Sequence, residues 1–146
     1  MYRLALRIAL NSQEAEDVVQ DVIIKLWKMR EQLEGIDNLE AYALRMTRNL
    51  ALDRQRMKVN QMENIDGMDF FSPSSVERTI EQDERINSIR QAMEQLPEKQ
   101  RIAMQLRDFE GRSYKEIAEV MEISEDQVKV NIFRARQALR AKLTAP

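Results

Sequence analysis

Apolar residues recur at intervals of three and four along most of the chain, which is the spacing of amphipathic α-helices. The spacing is clearest over residues 96–143, where it predicts three helices separated by two short turns. Pro97 stands at the start of the first helix, and Gly111 ends it with the residue type that suits a left-handed cap. The predicted inward face of that helix is Ile102, Leu106 and Phe109. With only three Gly and three Pro in 146 residues, the pattern favours an all-α fold.

The second and third of these helices have the features of a helix-turn-helix. Ser113 with Glu116, and Ser124 with Gln127, have the spacing of two capping boxes, in which two side chains satisfy each other's backbone N–H groups. The turn falls at residues 122–123. The predicted buried residues are Ile117, Ala118 and Met121 in the second helix and Val128, Ile132 and Leu139 in the third. Such a unit lays its second helix in the major groove of DNA.

The third helix is basic, which supports contact with DNA. Its charged side chains are Lys129, Arg134, Arg136, Arg140 and Lys142 against Glu125 and Asp126. Asn131 is of a type that reads base edges. The alternative is a three-helix protein-binding module with a solvated basic surface. The two capping boxes and the small Ala118 at the helix crossing favour DNA.

Residues 1–58 predict a second group of helices. The pattern is helical from the first residue, Met1, with no capping residue before it, which indicates a helix whose beginning is absent from this chain. A helix capped by Asn11 and Glu14 is expected to run to about Leu33. Its predicted inward residues are Ala15, Val18, Val19, Val22, Leu26 and Met29. A further helix, capped by Asp37 with Glu40, is expected to run to about Lys58. Its predicted inward residues are Leu39, Tyr42, Ala43, Met46, Leu50 and Met57.

Two charged surfaces in this segment have more than one interpretation. Glu14, Asp17 and Asp21 on the first long helix are consistent with solvated acid near a helix N-terminus, with a divalent-metal cluster, or with a docking face for a basic protein. Spacing alone does not separate these readings. On the next helix, Arg45, Arg48, Asn49 and Arg56 lie beside the inward face, either for nucleic-acid contact or as ordinary surface charge.

Composition excludes several function classes. The chain contains no Cys and no His, which removes disulfides, thiolate metal sites and the commonest general base. It has no Gly-rich phosphate loop, so neither an enzyme nor a cofactor is expected. No stretch approaches the roughly 18 apolar residues of a membrane span, and no signal peptide is visible.

Charge divides the chain into three parts. Residues 1–58 contain 10 Lys and Arg against 9 Asp and Glu, and residues 85–146 contain 12 against 9. Residues 59–84 contain 1 against 7, and they lack sustained periodicity. We therefore expect two small helical domains, 1–58 and 85–146, joined by a flexible acidic linker over residues 59–84.

Three motifs, in this order, resemble the extracytoplasmic-function (ECF) group of the bacterial sigma-70 family. EAEDVVQDVIIKLW over residues 14–27 is similar to the family's acidic AEDxxQ helix. YALRMTRNLALDRQR over residues 42–56 resembles its WLxxIARNxxxDxxR helix, with Tyr42 at the usual Trp and Ala43 at the usual Leu. LPEKQR, the helix-turn-helix and KVNIFRARQAL are similar to region 4. Family members normally have additional residues before the position of Tyr2.

This resemblance implies a non-enzymatic specificity subunit of RNA polymerase, with region 2 at residues 1–58 and region 4 at residues 85–146. The residues implied to dock on the polymerase clamp are Asp17, Gln20 and Asp21. The residues implied to engage the −10 element are Arg45, Arg48, Asn49, Asp53 and Arg56. The residues implied to read the −35 element are Ser124, Gln127, Lys129, Val130, Asn131, Arg134 and Arg136.

The implied partners are the clamp and β flap of core RNA polymerase, promoter DNA and an anti-sigma factor. The resemblance also implies a cytoplasmic protein that is a monomer when free. The alternative function is an ordinary helix-turn-helix transcriptional regulator, which predicts a stable dimer and a palindromic site.

Overall fold

The computed structural model describes residues 1–64 and 84–144. The chain divides into two compact units, Met1–Val76 and Glu77–Pro146. Every regular element in the described residues is helical, as the sequence predicted. No helix among these residues is both long enough and apolar enough to cross a membrane.

The first unit is a bundle of three helices, α1 (Tyr2–Ala9), α2 (Ser12–Lys28) and α3 (Leu39–Asn64), with a short 3-10 helix at Gln32–Gly35. Each of the three helices packs against the other two. The buried core consists of Leu4, Ala5, Ile8, Ala15, Val18, Val22, Ala41, Ala43, Leu44, Thr47, Ala51 and Leu52. The short α1 is thus buried along one side by the two longer helices.

The start of α2 was predicted correctly and its end was not. The Asn11 Oδ1 atom accepts hydrogen bonds from the backbone N–H groups of Gln13 (2.9 Å) and Glu14 (3.1 Å), which confirms the Asn11 half of the predicted capping box, whereas the Glu14 carboxylate pairs with Lys58. The helix ends at Lys28 instead of Leu33. Beyond it the backbone bonds join residues three apart, a tighter pattern that leads into the 3-10 helix.

The inward face of α3 differs from the predicted one. Ala43 is buried, but Leu39 and Met57 are 47 % and 62 % exposed. The buried α3 residues are Ala41, Ala43, Leu44, Thr47, Ala51 and Leu52, of which the prediction contained only Ala43. The predicted inward face was therefore displaced around the helix from the face that is buried. The helix also continues to Asn64, beyond the expected end at Lys58.

The cap of α3 is Asn38, not Asp37. The Asn38 Oδ1 atom accepts a hydrogen bond of 3.0 Å from the backbone N–H of Ala41. Asp37 and Asn38 are both good capping residues, so composition alone does not choose between them. Because α3 begins at Leu39, Asn38 stands three residues before Ala41, the spacing at which a cap reaches a free backbone N–H.

The second unit contains α4 (Glu84–Glu94), α5 (Glu98–Met104) with one π-helical turn at Gln105–Phe109, α6 (Tyr114–Met121) and α7 (Glu125–Thr144). The last helix, α7, packs against α4, α5 and α6, so it forms the centre of this unit. The predicted buried residues Ile117, Met121, Val128, Ile132 and Leu139 are confirmed. Ala118 is only half-buried, because Val120 takes the more interior position on α6.

The π-helical turn explains why one predicted inward residue faces outward. The backbone N–H of Glu110 bonds to the carbonyl of Gln105, five residues back, at 3.2 Å. Such a turn adds one residue and shifts the helical phase by about 100°. Ile102 and Leu106 are buried as predicted, whereas Phe109 is 45 % exposed.

The turns of the helix-turn-helix follow the predicted capping chemistry. Ser124 and Gln127 form both halves of their capping box, each with a hydrogen bond of 3.1 Å. Ser113 accepts the N–H of Glu116 at 3.1 Å, but the Glu116 carboxylate also pairs with Arg112. Gly111 has the predicted left-handed backbone, with φ at 67°.

The predicted linker lies largely outside the described residues, over positions 65–83. The boundaries at residues 58 and 85 therefore stay predictions. Pro97 caps α5 from the position just before its first residue, Glu98, one place earlier than expected.

Candidate nucleic-acid interface

The outer face of α7 carries most of the residues predicted to read DNA. Val128, Ile132, Ala135 and Leu139 are buried in the unit, so the residues between them point away from the core. The exposed set is Lys129, Val130, Phe133, Arg134 and Arg136. This helix therefore presents a cationic surface with apolar positions within it.

The first turns of α7 use predicted DNA-reading residues to hold the helix in place. The Gln127 Oε1 atom accepts from the N–H of Ser124, and the Ser124 hydroxyl accepts from the N–H of Gln127. The Asn131 Nδ2 atom donates to the carbonyl of Gln127 at 2.8 Å. All three side chains are therefore pre-oriented on the helix that carries them.

Two cations stack on one tyrosine beside α7. The guanidinium carbon of Arg107 lies 4.3 Å from the centre of the Tyr114 ring, and the Lys129 ammonium lies 5.5 Å from it. Arg107 also donates to the carbonyl of Arg112 at 2.9 Å. Sequence analysis did not single out Tyr114, because nothing in its spacing indicated that two distant cations would share its ring.

Arg136 makes a two-pronged ion pair with Asp108 of the π-helical turn. Its Nε lies 3.0 Å from Oδ2 and its Nη2 lies 2.5 Å from Oδ1. These hydrogen bonds are the largest cause of a raised pKa of the Arg136 guanidinium, which partial burial opposes. A predicted DNA-reading residue is thus bound to a carboxylate 28 residues earlier in the chain.

Phe133 is a candidate contact that sequence analysis missed. Its side chain is 60 % exposed, on the same face of α7 as Lys129 and Val130. The available signal was the place of Phe133 directly after the inward Ile132, which turns its aromatic ring toward solvent on a helix predicted to read DNA.

The residues predicted to engage the −10 element lie together on α3. The Arg48 Nη1 atom donates to the Asn49 Oδ1 atom at 2.9 Å, and Arg56 pairs with Asp53 at 3.7 Å. Arg45 lies over the ring of Tyr42, 5.3 Å from its centre. Asp53 and Arg56 are exposed, and the other members of the predicted set are half-buried.

The acidic residues of α2 form a charge ladder with α3. Asp21 is 2.5 Å and Asp17 is 3.8 Å from the guanidinium of Arg54, and Glu14 is 2.9 Å from the Lys58 ammonium. Gln20 is exposed beside them. Within residues 1–64 and 84–144, no group of three or more acidic side chains has the arrangement of a metal site.

An exposed apolar surface continues along α2 beyond these acids. Ile23 and Trp27, one helical turn apart, are 51 % and 67 % exposed. Arg30 donates to the carbonyl of Trp27 at 2.9 Å and lies over its ring, 4.4 Å from the centre. The sequence analysis noted Trp27 only as part of a motif, although its outward position follows from the buried Val18 and Val22.

Two family models match the chain, one in each unit. The model of Sigma-70 region 2 matches residues 1–60, and the model of Sigma-70, region 4 matches residues 86–139. The region 2 match covers α2 and most of α3, and the region 4 match covers the helix-turn-helix.

Whole-chain similarities agree with these matches. The chain is 33 % identical to the RNA polymerase sigma-H factor of Pseudomonas aeruginosa over 147 residues, covering 93 % of this chain and 76 % of that protein. It is 28 % identical to the ECF RNA polymerase sigma factor SigW of Bacillus subtilis, with coverages of 98 % and 82 %.

A solved structure shows the same fold. The sigma factor RpoE of Bartonella quintana, crystallised with the anti-sigma factor NepR, superposes with a TM-score of 0.84 at 25 % identity. The match covers 99 % of this chain and 90 % of that one. These similarities exclude the alternative of an ordinary dimeric helix-turn-helix regulator. The chain belongs to the ECF group of the sigma-70 family and is an RNA polymerase sigma factor, a transcription initiation factor and not an enzyme.

Proposed function

We propose that α7 reads the −35 promoter element, that α3 engages the −10 element, and that α2 docks on the clamp of core RNA polymerase. The observation that carries this proposal is the exposed cationic surface of α7, which lies away from its four buried residues. A second polar face on α3 belongs to a separate compact unit. Two such faces suit a promoter with two separated elements.

On α7, the chemistry of the side chains suits the major groove. Lys129 and Arg134 supply positive charge for phosphates or guanine edges, and Val130 and Phe133 supply apolar contacts for thymine methyl groups. Ser124, Gln127, Asn131 and Arg136 complete the −35 set. Because cationic contacts release counterions, binding by this face is expected to weaken steeply with salt.

On α3, the polar face suits an unstacked base. Arg48 donates a hydrogen bond to the Asn49 Oδ1 atom. This bond fixes the orientation of the Asn49 side-chain amide and therefore the direction in which its Nδ2 atom can donate. Unstacking a base requires a few kcal/mol, which contacts in a binding site offset. Arg45, Asp53 and Arg56 extend this face along the same helix, so that Arg45 and Arg56 can hold the adjacent backbone.

On α2, the proposed docking surface combines acid with apolar area. Asp17, Gln20 and Asp21 form its polar part, and Ile23 with Trp27 continue it. A basic partner surface with an apolar edge is complementary to this combination. The helices around residues 96–109 are proposed to meet the β flap of the polymerase.

The division into two units explains why polymerase is required. Each element by itself presents only a few DNA contacts, so each is expected to bind weakly. Held together on polymerase, the two elements gain effective concentration, and avidity determines promoter choice. We therefore expect the free protein to be a cytoplasmic monomer with weak, salt-sensitive DNA binding. The described complex of RpoE with NepR supports an anti-sigma factor as a further partner.

Run-off transcription with core polymerase on a promoter library tests the proposal. The parent chain should enrich promoters with two separated motifs, and Asn49→Ala and Arg134→Ala should each lose most of that transcription. Arg140→Ala is the matched control, since Arg140 is exposed on the same helix but lies outside the proposed set. Equal transcription by the parent and both variants would exclude these assignments.

A further inference from the structure

The Asp108–Arg136 ion pair connects the π-helical turn to α7. Its two hydrogen bonds join both oxygens of the carboxylate to one edge of the guanidinium, a geometry that fixes orientation as well as distance. The side chains are 28 % and 49 % exposed for Asp108 and Arg136 respectively, so the pair is partly shielded from water. It differs from an ordinary surface pair within one helix because it joins two elements.

A second contact between α7 and a neighbouring element lies on the same side of α7 as the Asp108–Arg136 pair. Lys129 precedes Arg136 by seven residues, or two helical turns, so the two side chains project in nearly the same direction. Lys129 contacts the Tyr114 ring, on which Arg107 also stacks, and Arg107 directly precedes Asp108. The contacts of Lys129 and Arg136 lie on one side of α7, two turns apart, and together they restrain rotation of the helix about its own axis.

Charge argues against a simple phosphate contact for Arg136. A guanidinium already neutralised by a carboxylate contributes little net positive potential to the DNA-facing surface. To bind a phosphate it would have to leave Asp108, and it would then expose a carboxylate beside the DNA backbone. Both effects oppose such a contact.

We propose that Arg136 is a positioning residue, and that Asp108 uses it to fix the rotation of α7 so that the outer face meets the base edges in register. This positioning role of Arg136 rests on the proposed −35 role of α7 and separates residues that contact DNA from a residue that orients the helix. Lys129 and Arg134 then carry the phosphate contacts, while Arg136 acts through the helix.

The test uses holoenzyme assembled from core polymerase and the full chain. The probe is a labelled promoter fragment that the parent holoenzyme selects from a library, with a second fragment whose −35 element is scrambled. Binding of both fragments is measured over a series of salt concentrations for Asp108→Asn, Arg136→Gln and the double variant.

A positioning role predicts that all three variants lose the preference for the selected −35 element to a similar extent. We expect a loss of roughly three- to tenfold, because a partly exposed ion pair contributes only a modest free energy. The double variant should be no worse than either single one, because both remove the same interaction. The dependence on salt should remain that of the parent.

A phosphate contact predicts the opposite pattern. Asp108→Asn removes a negative charge and releases Arg136, so it would then leave binding unchanged or tighten it. Arg136→Gln would lower the slope of log K against log salt by about 0.9. Either result would overturn the proposal. If circular dichroism shows that Asp108→Asn does not fold, Arg136→Gln alone decides through this slope.

Arg134→Ala separates failure of this inference from failure of the proposed function. If Arg134→Ala weakens binding to the selected fragment while Asp108→Asn does not, α7 reads DNA and the positioning role is wrong. If Arg134→Ala has no effect, the −35 assignment itself is wrong, and with it the positioning role that rests on it.

Discussion

The two units of this sigma factor use ion pairs between helices in different ways. In the first unit, Arg54 binds the carboxylates of Asp17 and Asp21, which belong to the proposed polymerase-docking surface. In the second unit, Asp108 binds Arg136, a cation at the side of the proposed DNA-reading surface. Under the proposed roles, a docking partner would compete with Arg54, whereas DNA would meet an outer face of α7 that the neighbouring pair holds in position.

This difference shows that residue type alone does not assign a charged side chain to a contact. Asp21 and Arg136 both belong to the predicted contact sets, and both are paired across elements. Their partners lie 33 and 28 residues away in the chain, beyond the range of any helical period.

Truncating a core isoleucine in either unit should have the largest effect on stability. Ile8 is fully buried in the first unit, and Ile132 is 1 % exposed in the second. Ile8→Ala and Ile132→Ala should each lower the free energy of unfolding by about 2–5 kcal/mol, through lost burial and an unfilled cavity. Urea titration followed by circular dichroism measures this. The exposed Ile23 provides the control Ile23→Ala, which should change stability by less than about 0.5 kcal/mol.

Removing a helix cap should have an intermediate effect in both units. Asn11 caps α2 by accepting two backbone N–H groups, and Ser124 caps α7 within a complete capping box. Asn11→Ala and Ser124→Ala should each lower stability by about 1 kcal/mol. Thermal unfolding measures both. Loss of Ser124 with no change in stability would mean that the serine is retained for DNA contact alone.

Two glycines provide a comparison of backbone conformation. Gly111 has a positive φ of 67°, whereas the φ of Gly35 lies outside the left-handed region, and an added Cβ would meet no atom within 4 Å at either position. Gly111→Ala should therefore lower stability by about 1 kcal/mol through backbone strain alone. Gly35→Ala should be neutral or slightly stabilising, because it restricts the unfolded chain. Equal effects in urea titration would show that strain is not the cause.

Breaking the charge ladder should have the smallest effect. Arg54 and its two aspartates are each at least a third exposed, so Arg54→Gln should lower stability by at most about 1 kcal/mol at low salt and less at high salt. Arg56→Gln is the control, since its pair with Asp53 is more exposed. A salt-independent loss of several kcal/mol would instead indicate packing by the Arg54 stem.

Arg54→Gln also sharpens the proposal for polymerase docking. If Arg54 competes with the partner for Asp17 and Asp21, this variant should bind core polymerase at least as tightly as the parent does. Asp21→Asn, by contrast, should weaken that binding. A fluorescence titration of labelled chain with core polymerase distinguishes these outcomes.

Features that depend on neighbours within four residues could be predicted from the amino-acid order. The caps at Asn11, Ser113 and Ser124, the left-handed Gly111 and the buried side of α7 all follow from local spacing and residue chemistry. The error at Asp37 arose because two adjacent residues both cap well. The family motifs added the expected order of region 2 and region 4.

Features that depend on packing between helices could not be predicted in this way. The buried face of α3 includes Ala41, Leu44, Ala51 and Leu52 but not Leu39 and Met57, because the packing of three helices decides which side of α3 is covered. The π-helical turn rotates Phe109 outward after an extra residue. The sequence by itself therefore determined the helical class, the caps at Asn11, Ser113 and Ser124, and the candidate contact residues. Only the tertiary structure decided which of those residues bind carboxylates or cations of their own chain, since such partners are brought together by folding and not by spacing.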